Sequence, residues 1–207
     1  MSDPDLSRAY AIRTPEDCAR IYADWAASYD DGFARDMDYR LPAHVAAAFL
    51  AHGGEGPVLD VGAGTGLLGQ ALRAQGFADV IDGVDLSPGM LAKAREKGIY
   101  RRLFEADVTL PMPSGGWRGL VSSGTFTHGH VGPGAIGGLI DAVERGALLV
   151  LSVNMGIWIS HGFDAALDAL SSRIAPPLLI EVSIYGPAVA DAAHAADRAR
   201  IVLLRKS

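Results

Sequence analysis

The sequence has almost no cysteine and no long apolar runs. Cys18 is the only cysteine in 207 residues, so the chain can form neither an internal disulfide nor a zinc site of several thiolates. The longest apolar stretches, such as 147–153, have the length of a strand, whereas a membrane-spanning helix needs about 20 apolar residues. Residues 1–6 are polar and acidic, unlike a signal peptide. These absences predict a soluble, cytoplasmic protein with no membrane partner.

The sequence is also short of basic residues. It has 18 lysines and arginines against 24 aspartates and glutamates, a formal charge of −6, and no basic run longer than Arg101-Arg102. Proteins that bind nucleic acid use a basic surface to displace counterions from the phosphates. We therefore expect no nucleic-acid partner. An apolar fraction of 49% with 20% charged residues is typical of a globular domain.

The sequence does contain a regular alternation of strand-like and helix-like segments. Short apolar runs predict strands at 57–61, 80–85, 100–105, 118–123, 147–153, 178–185 and 199–205. Helices are predicted to begin near Thr14, Pro42, Gly66, Pro88, Pro133 and Phe163. The last of these carries an apolar face as far as Ile174, and Ser87 is a suitable N-cap for the helix at Pro88. Segment 107–117 is rich in proline and glycine, which predicts a loop or a single turn.

This alternation predicts an α/β fold with a doubly wound, mostly parallel, seven-stranded sheet. The last two strands are joined by only about a dozen residues, which predicts a terminal antiparallel hairpin. We expect one domain over residues 1–207. In it, residues 1–55 form N-terminal helices that cover the site, and residues 56–207 form the core.

A glycine-rich loop follows the first predicted strand. Gly62, Gly64 and Gly66 allow tight turns and a close approach to a ligand, and the helix that begins at Gly66 directs free N–H groups into the site. Asp85 ends the second strand, where a carboxylate can accept hydrogen bonds from both hydroxyls of a ribose. The sequence therefore predicts an adenosine-binding site at the carboxyl ends of the strands.

The same loop contains a second glycine register. Gly64, Gly66 and Gly69 fit the Gly-x-Gly-x-x-Gly spacing of dinucleotide sites, which is a weak signal by itself. Two acidic residues favour a different ligand. Asp60 lies inside the end of the first strand and suits a cationic group, and Asp107 follows the third strand, where it can meet the amine of adenine.

These residues resemble the class I S-adenosylmethionine-dependent methyltransferases. Segment 58–66 is similar to the glycine motif of that family, 84–87 to its acidic motif and 105–108 to its adenine motif. The resemblance covers nearly the whole chain. It implies a Rossmann-like fold, S-adenosylmethionine as the cofactor and S-adenosylhomocysteine as its product.

The resemblance also implies roles for the matching residues. Asp60 and Gly62 are expected to face the methionine half, Asp85 the ribose, and Asp107 the adenine amine. Leu86 and Met90 are expected to flank the adenine. The full set of expected cofactor-binding residues is Tyr22, Trp25, Asp60, Gly62, Gly64, Gly66, Asp85, Leu86, Met90, Asp107, Val108 and Ser123.

Family members present their acceptor beside the segment that follows the fourth strand. Here that segment contains His128 and His130, and a histidine with a pKa near ~6.5 suits a general base at neutral pH. We expect both to be catalytic, together with Tyr29 from the N-terminal helix. No metal site is expected, because no acidic residue lies near the histidines. Segments 25–30 and 124–133 are similar to the Williams–Beuren-syndrome-region methyltransferase-like group.

Other polar and aromatic residues are expected at the rim of the acceptor pocket. They are Tyr39, Asn154, Trp158, His161 and Tyr185. The leading hypothesis is methyl transfer to a small-molecule acceptor by in-line displacement. A protein acceptor, a nicotinamide-dependent oxidoreductase and a non-catalytic sensor of adenosyl ligands are the alternatives. The protein is expected to be a monomer or a homodimer.

Overall fold

A computed structural model describes residue 21 and residues 29–189 and 194–207 of the chain. The helix predicted from Thr14 therefore lies outside the described residues, apart from Ile21, which is helical. Tyr22 and Trp25 lie outside them as well. Tyr29 begins a π-helical turn, Tyr29–Ala34. The described ranges contain no helix that is long and apolar enough to cross a membrane.

The elements after this turn alternate as the sequence predicts. The helices are α1 (Leu41–Ala51), α2 (Leu67–Ala74), α3 (Pro88–Glu96), α4 (Ala135–Ala142), α5 (Met155–Trp158) and α6 (Phe163–Ala169). The strands are β1 (Val58–Val61), β2 (Ile81–Asp85), β3 (Arg102–Glu105), β4 (Trp117–Phe126), β5 (Val143–Asn154), β6 (Leu178–Ser183) and β7 (Arg198–Arg205). Segment 106–116 contains turns but no helix, as predicted.

The strands form one seven-stranded sheet in the order β3-β2-β1-β4-β5-β7-β6. β1 to β5 pair in parallel, whereas β7 is antiparallel to both β5 and β6. The predicted sheet and its terminal hairpin are therefore confirmed. The chain order reverses between β1 and β4, so the carboxyl ends of these strands form the crevice where doubly wound sheets bind ligands.

Apolar side chains cover both faces of the sheet. Along β1, Val58 belongs to the cluster under α1 and α2, and its neighbour Leu59 belongs to the cluster under α4 and α6. Both residues are fully buried. Successive side chains of a strand point to opposite faces, and a parallel sheet with helices on both sides buries both of them. This packing fixes the strand ends that carry the site.

Two helix ends differ in how well the sequence predicts them. α3 begins at Pro88 as predicted, and the Ser87 side chain accepts a hydrogen bond from the Met90 N–H. α6 ends at Ala169, so its predicted extension to Ile174 is wrong. Ile174 is buried in the core cluster under α4 and α6 instead, and it forms a β-bridge with Lys206, the residue after β7. Ile174 therefore has the spacing of a helical core residue, although it lies in a β-bridge and not in a helix.

Candidate active site

A cavity of about 220 Å³ lies at the carboxyl ends of β1 to β4. Its walls come from the loops after these strands, the start of α2 and the segment 29–42 that precedes and begins α1. Most of the residues predicted for the site line this cavity. They are Tyr29, Gly62, Gly64, Asp85, Leu86, Met90, Asp107, Val108, Ser123 and His130. Asp60, Gly66 and His128 do not line it.

Asp85 joins the ends of β1 and β2. Its Oδ2 accepts a hydrogen bond from the Gly64 N–H at 2.8 Å, and its Oδ1 accepts one from the Ser87 N–H at 2.8 Å. Burial raises the pKa of Asp85, and the backbone N–H groups of Ser87, Gly64 and Leu86 act against that rise. Each carboxylate oxygen can accept more than one hydrogen bond. Asp85 can therefore hold the glycine loop and two ligand hydroxyls together.

The cavity continues past Asp85 between α3 and the loop after β3. Met90 and Val108 are 2% and 8% exposed, and together with Leu86 they provide apolar surface for a flat ring. Asp107 Oδ1 accepts hydrogen bonds from the Thr109 N–H and hydroxyl, at 2.9 and 2.6 Å. These two hydrogen bonds fix the Asp107 carboxylate, and its other oxygen can accept a hydrogen bond from an amine of the ligand.

The glycines of the loop make room for different partners. A Cβ added at Gly64 would meet nothing closer than 4.0 Å, so this residue faces the cavity. A Cβ at Gly69 would lie 2.6 Å from the Tyr100 hydroxyl, and one at Gly66 would lie 3.1 Å from the Tyr100 ring. The last two glycines of the Gly64, Gly66 and Gly69 register therefore accommodate Tyr100, so packing inside the protein explains that spacing.

Tyr100 also explains where Asp60 lies. Asp60 is fully buried below the loop, and its Oδ2 accepts a 2.6 Å hydrogen bond from the Tyr100 hydroxyl. Its Oδ1 is buried without a hydrogen-bond partner among the described residues. The pKa of Asp60 is raised to about 7. Burial is the largest cause, the charge of the nearby Asp85 raises the pKa further, and the hydrogen bond from Tyr100 acts in the opposite direction. Asp60 is thus a carboxyl group poised between its neutral and charged forms.

The end of β4 closes the cavity opposite the glycine loop. Ser123 lines the cavity, and its hydroxyl oxygen is buried with no hydrogen-bond partner in the described part of the chain. The Thr125 hydroxyl donates to the Val61 carbonyl at 3.1 Å, and a Cβ at Gly62 would overlap that hydroxyl. Ser123 is therefore the polar group at this end that a ligand can satisfy.

The two predicted histidines occupy different places. His130 lines the cavity, and its Nδ1 lies 2.7 Å from the carbonyl oxygen of His128. Since a carbonyl only accepts, Nδ1 carries the proton, which makes Nε2 the basic nitrogen of the neutral ring. Burial lowers the pKa of His130. The His128 ring instead lies against Gly156, where an added Cβ would be 2.7 Å from it.

Four aromatic rings form the wall above the end of β4. Tyr29 and Phe33 are 5.1 Å apart between ring centroids, Phe33 and Tyr39 are 5.7 Å apart, and Tyr39 and Tyr185 are 6.1 Å apart. Tyr29 and Tyr39 line the cavity. A Cβ at Gly124 would lie 2.6 Å from the Tyr39 hydroxyl, so that glycine lets the tyrosine reach β4.

Comparisons with known proteins identify the family. A model described as a methyltransferase domain matches residues 58–145, which include the glycine loop, Asp85 and Asp107. Human methyltransferase-like protein 27 is 34% identical over 161 residues. The chain belongs to the class I methyltransferase family. The matched region covers 72% of this chain and 64% of the human protein, so the chain spans less than two thirds of that relative's length.

Solved structures show that this methyltransferase domain has the family's fold. A TehB-like S-adenosylmethionine-dependent methyltransferase from Corynebacterium glutamicum is 17% identical with a TM-score of 0.63, covering 90% of this chain and 98% of that one. A magnesium protoporphyrin IX methyltransferase from Synechocystis, solved with S-adenosylmethionine, is 18% identical with a TM-score of 0.58. That match covers 100% of this chain and 98% of the other.

Several residues that line the cavity were not named among the predicted site residues, although most of them lie within the motif segments 58–66, 84–87, 105–108 and 124–133. They are Pro42, Ala63, Thr65, Leu67, Leu68, Ser87, Ala106, Thr109, Gly124, Thr125, Gly129 and Val131. Many are direct neighbours of predicted residues, so their position after a strand end was the available signal. Of the predicted rim residues, Tyr39 lines the cavity. Asn154 instead caps α5, where its side chain accepts a hydrogen bond from the Gly156 N–H, and Trp158 is buried in the core and donates a hydrogen bond to the exposed Asp164.

Proposed function

We propose that the chain is an S-adenosylmethionine-dependent methyltransferase that acts on a small-molecule acceptor. One observation carries the proposal: the Asp85 carboxylate lines the cavity and is held there by the Gly64 and Ser87 N–H groups. Such a carboxylate suits the two hydroxyls of a ribose. Family membership supports the same cofactor. When bound, the cofactor supplies a methyl group on a positively charged sulfonium.

The cavity residues fit this cofactor. Leu86, Met90 and Val108 would pack against the adenine ring. The second carboxylate oxygen of Asp107 would accept a hydrogen bond from the adenine amine. Gly64 has no side chain, so the ligand can approach the backbone of the loop closely. The buried Ser123 hydroxyl has no hydrogen-bond partner among the described residues and could bind a polar group of the ligand. These positions would place the methionine half between the glycine loop and β4. Asp60 would act from below the loop when its carboxyl group is in the charged form, since its side chain lies behind the cavity wall.

His130 is the residue that we assign as the general base. Its Nδ1–H donates to the His128 carbonyl, so the neutral ring presents its basic character at Nε2. When bound, the cofactor would supply the methyl group to the acceptor oxygen and would leave as the neutral thioether S-adenosylhomocysteine. His130 Nε2 would take the proton of the acceptor hydroxyl. The other contribution is geometric, because holding the two reactants in line provides much of the rate.

The walls of the acceptor end favour an uncharged ligand. Among the described lining residues, the acidic ones are Asp85 and Asp107, both at the adenosine end. The acceptor end has Tyr39 and Val131 instead. Aromatic side chains of this kind bury apolar surface and offer hydroxyl groups at their tips. A small acceptor with a hydroxyl group on an apolar or aromatic frame matches these walls.

Turnover with a methyl-labelled donor tests the acceptor. Small molecules carrying a hydroxyl, amine, carboxyl or thiol group are assayed beside unrelated peptides of similar size. We expect transfer to hydroxyl compounds and none to the peptides. Transfer to peptides alone would favour a protein acceptor. Binding of the cofactor without any transfer would favour a sensor over an enzyme.

A further inference from the structure

Asp30 connects the π-helical turn to the glycine loop. Its Oδ1 accepts a hydrogen bond from the Thr65 hydroxyl at 2.5 Å, and its Oδ2 accepts one from Lys97 Nζ at 2.6 Å. Both carboxylate oxygens are therefore engaged, by residues that lie 35 and 67 positions away in the chain. We call Asp30, Thr65 and Lys97 the clamp.

The clamp residues occupy two helix ends. Thr65 directly precedes Gly66, the N-cap of α2, and Lys97 is the C-cap residue of α3. A carboxylate near a helix N-terminus and an ammonium near a C-terminus both complement the helix dipole. Lys97 Nζ also donates to the Gln70 side chain of α2 at 2.8 Å. The ion pair thus links the first turn region of α2, the end of α3 and the π-helical turn.

The clamp is more buried than the other ion pair at α3. The Lys97 and Asp30 side chains are 15% and 32% exposed, and Thr65 is 2% exposed. Lys93 and Glu96 form a pair at 3.1 Å in which the side chains are 41% and 64% exposed. Exposed pairs contribute little because water and salt screen them. The Lys93–Glu96 pair is therefore a matched control for the clamp.

The clamp bears on the cavity through Tyr29. Tyr29 is the residue before Asp30 in the same π-helical turn, and it lines the cavity. Thr65, at the other end of the hydrogen bond, also lines the cavity. Fixing the Asp30 carboxylate on the glycine loop therefore fixes the distance between Tyr29 and that loop. The clamp sets the width of the cavity where the two walls meet.

We propose that Asp30 is a positioning residue that holds Tyr29 over the cofactor cavity. The inference rests on the proposed function, since it assumes that the cavity binds the adenosyl cofactor. Asp30 touches no reacting atom. It acts through Tyr29, and Thr65 and Lys97 act through Asp30.

A double-mutant cycle tests this chain of action. Calorimetry measures the Kd for S-adenosylhomocysteine in the full chain. Asp30→Asn is expected to weaken binding about fivefold when Tyr29 is present, and by less than about twofold in a Tyr29→Ala background. Equal losses in the two backgrounds would overturn the proposal. A purely structural role for Asp30 would give such equal losses.

Two lysine variants test the ion pair. Lys97→Met is expected to reproduce the loss seen with Asp30→Asn, and the two changes together are expected to cost no more than either alone. Lys93→Met removes an exposed lysine from the same helix and is expected to leave the Kd unchanged. An equal effect of Lys93→Met and Lys97→Met would contradict a specific clamp.

Amide hydrogen exchange tests the clamp in the protein without ligand. Exchange across 29–34 is expected to be about threefold faster in Asp30→Asn and in Lys97→Met than in the parent chain or in Lys93→Met. Unchanged exchange would overturn the clamp. If the parent chain fails to bind S-adenosylhomocysteine, the proposed function fails, and this readout still judges the clamp separately.

Discussion

Asp85 is the single residue on which cofactor binding depends most in this account. Its two oxygens organise the Gly64 and Ser87 N–H groups and face the cavity. Asp85→Asn keeps the shape of the side chain but replaces one carboxylate oxygen with an NH2 group. This donor would face a backbone N–H, and it could no longer accept a hydrogen bond from one of the ribose hydroxyls. We expect the affinity for S-adenosylhomocysteine to fall at least about tenfold, equivalent to ~1.4 kcal/mol.

The matched control is Asp79→Asn. Asp79 also accepts a backbone hydrogen bond, from the Gly56 N–H at 3.0 Å, but it does not line the cavity. Calorimetry on both variants is the measurement. An unchanged affinity in Asp85→Asn, or an equal loss in the two variants, would remove the ribose assignment.

Asp60 predicts an unusual pH dependence of stability. Its pKa is raised from 3.8 to about 7 in the folded chain, mainly by burial. Between these values the folded state holds a proton that the unfolded state has lost, so this carboxyl makes the protein less stable as the pH rises. Relative to Asp60→Asn, the parent chain is expected to lose on the order of 2 kcal/mol between pH 5 and 7.

Urea unfolding without ligand at several pH values measures this difference. Tyr100→Phe removes the hydrogen bond that lowers the Asp60 pKa, so it should move the transition to higher pH. Parallel pH curves for the parent and Asp60→Asn would show that Asp60 is charged throughout, contrary to this account.

His130 should be required for turnover and not for cofactor binding. His130→Gln removes the base, and we expect kcat with a hydroxyl acceptor to fall about a hundredfold while the Kd for S-adenosylhomocysteine stays within about twofold. His128→Gln keeps the backbone carbonyl that binds His130 Nδ1, so it should retain most of the activity.

The pH profile of kcat gives a second measure of the same residue. Burial lowers the pKa of His130, so the neutral, basic form persists below the ordinary value of 6.5. We expect the rate to stay level from neutral pH down past 6.5 and to fall only at more acidic pH. A fall centred above 6.5, or full activity in His130→Gln, would exclude His130 as the base.

At the level of residues, the sequence located the site but not the direction of each side chain. Asp85 is the last residue of β2, Asp107 follows β3, and Ser123 lies in the last part of β4, and all three line the cavity. Asp60 lies within β1, where successive side chains point to opposite faces, and its carboxyl meets Tyr100. Tyr100 was predicted as the first residue of the third strand, but it lies before β3, and its contact with Asp60 depends on the folded chain.

Among the elements, β2 carries a buried charge cluster. Asp82 is fully buried and accepts hydrogen bonds from Arg101 at 2.6 and 3.0 Å, from Arg102 at 2.6 Å and from Trp117 Nε1 at 2.9 Å. These donors come from the start of β3 and of β4. The arginines and Trp117 hold the pKa of Asp82 well below its usual range, against the opposing effect of burial.

Asp82→Asn is therefore expected to destabilise the protein by about 2 kcal/mol at neutral pH. Urea unfolding measures the change. Asp141→Asn is the control, because Asp141 pairs with Arg173 through a side chain that is 70% exposed, and we expect a loss below about 0.5 kcal/mol there. Equal losses in the two variants would contradict a special role for the buried cluster.

The ends of an element could be predicted where capping residues determine them, and could not be predicted where pairing with another strand does. Ser87 and Pro88 mark the start of α3, and Gly98 follows its C-cap with φ of 65°. β5 begins earlier than predicted, at Val143, because its first residue pairs with Trp117 before an irregularity in the register. That pairing depends on the partner strand and leaves no pattern in the segment itself.

At the scale of the whole molecule, the sheet could be predicted because the order of strands and helices along the chain limits how the strands can pair. Strands that alternate with helices form a parallel sheet, and the short link between the last two strands requires the antiparallel hairpin. The clamp was not predictable, since Asp30 meets Thr65 and Lys97 only through the folded chain. The acceptor wall was predictable in part, as Tyr29 and Tyr39 were expected beside the site.

The central claim is that the cavity over β1 to β4 binds the adenosyl cofactor. Calorimetry of the full chain with S-adenosylmethionine, S-adenosylhomocysteine and NAD in parallel tests it most directly. We expect both adenosyl ligands to bind one site per chain and NAD to give no heat of binding. Binding of NAD with no response to either adenosyl ligand would contradict the account.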